Sequence, residues 1–191
     1  MNTITECKQN NGTLNCRGLA TVLNECYLAM GFASRLVACL PKDSLKIDPE
    51  CHVINAVFIK SLNKWVWIDP TNNAYVMDEN GNLLSIEEVR AKIINEPIIL
   101  NPDANWNRKL TRTKEEYLLN YMAKNLYMIE CQQITNTIWK PGINNKTYDY
   151  IKLVPLDYFE QVNKTENHEK NTNTTFIKYN TNNAKLFWQA P

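Results

Sequence analysis

The chain has 191 residues, enough for one large domain or two small ones, and a hydrophobic content of 44% excludes a disordered polymer. Its 21 basic and 20 acidic residues leave a formal net charge of +1, so no long-range field draws it to nucleic acid or to an anionic membrane. No apolar run reaches the length of a membrane span, and the opening residues MNTITECKQNNG lack the apolar stretch of a signal peptide. Helix signals begin as early as Asn15, an abrupt start that leads us to expect a further segment upstream of Met1.

Asn15 is placed to cap a helix whose apolar positions are Cys16, Leu19, Ala20, Leu23, Cys26, Tyr27 and Met30. Gly31 is its expected stop. SRLVACLP follows as a short strand closed by Pro41, and KDSLKIDPE is a polar loop. CHVINAVFIK and KWVWIDPT read as two strands joined by a turn at SLN. Asn80-Gly81 marks a tight turn, and Ser85 with Glu88 has the spacing of a capping box at the head of a short helix over 85–95. EPIILNPDANWNRKL is irregular, broken by Pro97 and Pro102. A second long helix is expected over 113–133, capped by Thr113 with Glu116 and presenting Tyr117, Leu118, Tyr121, Met122 and Leu126. The remainder reads as strands separated by asparagine-rich turns. The expected class is α+β: a helix on an antiparallel sheet, then further helices and C-terminal strands.

The six cysteines are Cys7, Cys16, Cys26, Cys39, Cys51 and Cys131, with no C-x-x-C pair to suggest a zinc ribbon or a redox motif. Cys26 and Cys39 lie in apolar periodic segments and are expected to be buried thiols. This usage fits a reducing compartment and leaves localisation open between the cytoplasm and a mature or truncated exported fragment.

Only two histidines are present. His168 falls in a loop-like stretch and reads as solvated, whereas His52 opens an apolar strand. Asp69 ends the returning strand and is costly to bury without a partner. A turn centred on Ser61-Leu62 sets Asp69 opposite Ile54, one pleat from His52 and on the same face. A carboxylate there accepts the imidazole N–H and fixes its tautomer. At the first turn of a helix, Cys16 gains thiolate character from the free backbone N–H groups and the helix dipole. Nucleophile, base and orienting carboxylate thus occur in the order Cys, His, Asp. A zinc site on Cys16, Cys51 and His52 is disfavoured, because Cys51 and His52 point to opposite faces of one strand.

GTLNCRGLATVLNECYLAMGFASRLVACLP, CHVINAVF and KWVWIDPTNN together resemble the transglutaminase-like superfamily, which shares its core fold with papain-like cysteine proteases. The match runs over residues 9–77, with His52, Asn55 and Val57 on an H-x-x-N-x-V pattern and Asp69 in a D-P-T strand end. Cys16 and His52 lie 36 residues apart and Asp69 follows 17 later, a suitable spacing for the family, and the resemblance is to a bacterial-type member. The resemblance implies a core over 1–95, with 96–191 as a helical and β-rich extension packed on the same domain. It implies Cys16 as nucleophile, His52 as general base and acid, and Asp69 as orienter, with no metal and no cofactor. It also implies a second oxyanion donor upstream of the cysteine, for which Gln9 and Asn10 are the candidates. The chain departs from the pattern at Arg17 and Ile54, where many members carry aromatic residues. The reaction expected is acyl transfer or hydrolysis through a thioester, on a peptide or protein substrate. The competing expectation is an inactive module of the same fold that holds a peptide or glycan, with Trp106 at the cleft.

Overall fold

The structure is a computed structural model that describes residues 14–43, 50–132, 146–155, 164–169 and 174–191. The expected α+β class is correct: helices lie against a seven-stranded sheet, accompanied by two small two-stranded pairs.

Helix α1 spans Cys16–Ala29. The extended Asn15 caps it, its Oδ1 accepting from the Gly18 N–H at 2.9 Å. A cap of this kind is worth about 1 kcal/mol. At the far end Gly31 takes a φ of +83°. The Gly31 N–H bonds back to Leu28 and the Phe32 N–H to Tyr27, while the Tyr27 and Phe32 rings meet edge to face. This is the double closure of a Schellman motif, which only a residue free to adopt positive φ completes without strain.

Strand β1 (Ser34–Leu40) pairs antiparallel with β2 (His52–Ile59). A 3₁₀ turn at Lys60–Leu62 and the left-handed Asn63 return the chain into β3 (Lys64–Ile68). The β2–β3 ladder runs from Ile59 against Lys64 to Asn55 against Ile68. That register, continued by one residue, sets Asp69 beside Ile54, as the turn centred on Ser61-Leu62 predicts.

β2 is buried from His52 to Phe58 because both faces of the sheet are covered. Asn55 points toward α1 and donates to the Ala20 carbonyl at 2.9 Å. On the opposite face Val37, Ile54, Ala56 and Trp67 join one core with residues of the remaining helices. These are α2 (Ile86–Lys92), through Ile86 and Val89, and α3 (Glu115–Met122 with the turn Ala123–Asn125), through Leu118 and Met122. The Ser85–Glu88 capping box of α2 is complete, with both reciprocal bonds formed. Between β3 and α2 lies β4 (Val76–Met77), which pairs with β5 (Ile99–Leu100).

Several expectations are corrected. Leu19, Leu23 and Tyr27 are half-buried, and Cys26 and Met30 are exposed. The fully covered positions on α1 are Ala20 and Asn24, so its packed stripe is narrower and displaced from the apolar count. Cys39 is buried, as expected. The irregular segment before α3 contains a hairpin of β6 (Asn105–Trp106) and β7 (Leu110–Thr111), turned by the left-handed Asn107 and Arg108.

The second long helix is shorter than expected. α3 is a π-helical run, Glu115–Met122, closed by an α turn, Ala123–Asn125. Thr113 and Glu116 cap it reciprocally. Asn125 ends it, its amide reaching back to the Tyr121 carbonyl at 3.1 Å in competition with the helical ladder. Met128–Gln132 then extends as β8, whose backbone satisfies the open edge of β1.

The sheet continues through β9 (Lys146–Leu153), β11 (Thr174–Thr181) and β10 (Lys164–Glu169), in the order β10-β11-β9-β8-β1-β2-β3. It is not wholly antiparallel, because β9 and β11 run parallel. His168 is exposed but lies on β10, not in a loop. Helix α4 (Ala184–Phe187) seals the end of the core with Phe187. Among the described residues no helix is long and apolar enough to cross a membrane.

Candidate active site

The start of β2, the end of β3 and the head of α1 converge at one end of the sheet. Asp69 is fully buried. Its backbone pairs both ways with Ala74, at 2.8 and 2.9 Å, closing a tight loop that begins at Pro70. Its carboxylate accepts five hydrogen bonds. Oδ1 takes the N–H groups of Thr71 at 2.8 Å and Asn72 at 3.2 Å. Oδ2 takes the Asn72 amide at 3.0 Å, the Tyr117 hydroxyl at 2.6 Å and His52 Nε2 at 2.7 Å. Burial opposes the charge, but the His52 cation and these donors hold the carboxyl below its ordinary value of 3.8.

Tyr117 is itself positioned, since its oxygen accepts from the Trp67 indole N–H at 3.2 Å. Trp67 and Tyr117 are both buried, so Asp69 is braced from the core side of the sheet by an aromatic pair.

His52 is 2% exposed. With Nε2 bonded to Asp69, Nδ1 is the ring nitrogen left for Cys16, which lines the same cleft. Burial favours the neutral ring, yet the charge and hydrogen bond of Asp69, joined by Cys16, push the pKa up to about 9. The Tyr121 ring packs edge-on against the imidazole, with centroids 5.3 Å apart.

Cys16 is half-buried at the first residue of α1. Its hydrogen bond with His52 lowers the thiol pKa below 9.0, against burial, and backbone bonds from Val53 and Arg17 add to the effect. The site therefore favours a thiolate–imidazolium pair oriented by a buried carboxylate. Such a pair attacks an electrophilic carbonyl and returns a proton to the leaving group.

The three residues singled out from sequence are thus brought together. Cys39, opposite His52 across the β1–β2 ladder, is buried and its thiol is pushed up, so it does not compete as nucleophile. Cys51, just before β2 begins, is exposed while His52 is buried. Gln9 and Asn10 lie outside the described residues.

A cleft of about 540 Å³ opens over Cys16 and His52. Trp106, expected there, lines it from the β6–β7 hairpin at 43% exposure, with the Arg112 guanidinium 5.9 Å from its ring. Asn120 and Tyr121 of α3 form another wall. Sequence reasoning missed the parts played by Asn72, Tyr117 and Tyr121. The signal available for the tyrosines was their spacing of four on one helix, which a core reading absorbed. No protein-family model, curated protein or solved structure matches this chain.

Proposed function

We propose that the chain is a cysteine acyltransferase or hydrolase of transglutaminase-like type, acting on peptide-like amides through a thioester at Cys16. The observation that carries this reading is His52 Nε2 bonded to the buried Asp69 Oδ2 at 2.7 Å, with Cys16, at the head of α1, lining the same cleft as His52. The order of these residues, the helix head under the cysteine and the D-P-T strand end support the family assignment.

In the first half-reaction the thiolate attacks the amide carbonyl and a C–S bond forms. The His52 imidazolium gives its proton to the leaving amine as the C–N bond breaks. In the second, neutral His52 takes a proton from water or an acceptor amine, which attacks the thioester and frees the sulfur. The Cys16 backbone N–H, at the open end of the helix, is a donor to the oxyanion in both halves.

The test is a screen with a denatured protein such as casein, following ammonia release and peptide cleavage side by side, with Cys16→Ala as control. Either product, absent in the control, supports the reading: peptide cleavage marks attack on backbone amides, ammonia release marks attack on side-chain amides, and incorporation of an added amine separates transfer from hydrolysis. Neither product, together with failure of any acyl donor to label Cys16, favours the inactive binding module.

A further inference from the structure

We propose that the hydroxyl of Tyr121 is the second oxyanion donor, completing with the Cys16 N–H a two-point hole on the α3 side of the cleft. This rests on the thioester reading given above. Gln9 and Asn10 were the sequence candidates for that position, and the described residues offer a donor of a different kind.

Tyr117 and Tyr121 stand four residues apart on the π-helical run, and both line the cleft that holds Cys16 and His52. A π-helix carries more residues per turn than an α-helix, and such runs gather at functional sites. The two hydroxyls have different fates. That of Tyr117 is committed to Asp69 at 2.6 Å. That of Tyr121 has no hydrogen-bond partner among the described residues, although its ring packs 5.3 Å from the imidazole and is half-buried.

Its chemistry suits the task. Burial and the nearby Cys16 and Asp69 anions push the Tyr121 pKa well up, so the group stays a protonated donor throughout the site's working range. It faces the cleft from the wall that packs on the general base. An oxyanion generated at Cys16 therefore develops between the helix head and α3. A neutral phenol pre-oriented by ring packing stabilises that charge without reorganising, which is where an oxyanion hole gains its advantage over water.

Acylation by p-nitrophenyl acetate and alkylation by iodoacetamide separate this role from others. In acylation the thiolate adds to the ester carbonyl. The electron pair moves onto oxygen, then collapses to expel p-nitrophenolate and leave an S-acetyl group. Alkylation forms a C–S bond by displacing iodide and passes through no oxyanion. Both need the same thiolate–imidazolium pair.

For Tyr121→Phe, which keeps the ring packing, we expect the p-nitrophenolate burst to slow by about 10²-fold while alkylation of Cys16 keeps its wild-type rate and pH profile. Unchanged acylation overturns the assignment. An equal fall in both rates, with the thermal midpoint unchanged, also overturns it and makes Tyr121 a positioning residue for His52. Failure of wild-type Cys16 to acylate at all, or to alkylate faster than exposed Cys26, instead removes the thioester reading itself.

Discussion

His52 lies between two groups that draw its proton the same way. Asp69 stabilises the imidazolium from one side and the Cys16 sulfur from the other, which outweighs burial and lifts the ring to about 9. The folded state thus holds that proton more tightly than the unfolded chain, whose ordinary value is 6.5. The resulting stability is complete below pH 6.5 and is lost as pH rises through about 9. Asp69 contributes in the opposite sense: its share is complete above its ordinary 3.8 and is lost as pH falls through the lowered folded value. In a Cys16→Ala background, where the thiol cannot titrate and its share of the lift is gone, denaturant melts should show stability declining as pH rises above 6.5, over a window that closes below the value of about 9 held by the intact site. Adding Asp69→Asn should abolish that decline and, in a chain that keeps Cys16, slow acylation of the thiol on the order of 10³–10⁴-fold. A slope that survives Asp69→Asn removes the carboxylate as its cause. At this scale the meeting of His52 with Asp69 was legible because a hairpin turn fixes register, and register fixes which side chains meet. Tyr117 was not legible, because a tyrosine on an apolar helix face reads as core, and its hydroxyl finds Asp69 only through tertiary packing.

Among the elements, α1 carries Cys16 and two features seat it. Asn55 ties the helix to β2 through the Ala20 carbonyl, one turn beyond Cys16. Asn55→Ala should cost about 1 kcal/mol, the net worth of the lost hydrogen bond, since the Ala20 carbonyl keeps its partner within the helix, and should reduce Cys16 alkylation by loosening the helix head. A stability loss with an unchanged alkylation rate would make Asn55 structural only. At the other end, a Cβ on Gly31 meets nothing within 4 Å, yet its φ of +83° is unfavourable for an L side chain. Gly31→Ala should therefore cost about 1–2 kcal/mol through backbone strain alone, read as a shift of the urea midpoint at constant m-value. The caps at Asn15, Ser85 and Thr113 were all readable from sequence, because capping is local chemistry. The helix-to-strand change between Asn125 and Met128 was not. Residues 128–132 keep an apolar spacing compatible with either state, and the open edge of β1, distant in sequence, decides for the strand.

Across the whole molecule, one sheet runs from β3, beside the site, to β10 at its far edge. β8 pairs directly with β1, so residues beyond 95 complete the sheet that carries His52, and α3 from the same half braces Asp69 through Tyr117. Urea unfolding should accordingly give one transition, coincident by tryptophan fluorescence and far-UV circular dichroism. Two separated transitions would mean that the halves are energetically independent. The α+β class followed from hydrophobic periodicity, whereas the insertion of β8 beside β1 and the parallel β9–β11 pair did not. Strand neighbours far apart in sequence leave no mark on the local pattern of either strand.

The central claim is that Cys16 is a thiolate paired with His52, and its rate of alkylation by iodoacetamide as a function of pH tests it most directly. With Cys26 in the same chain as the exposed-thiol reference, Cys16 should react much faster at neutral pH and keep that advantage well below 9.0, the ordinary thiol value. A Cys16 that reacts no faster than Cys26, and gains reactivity only as pH approaches 9.0, would contradict the account.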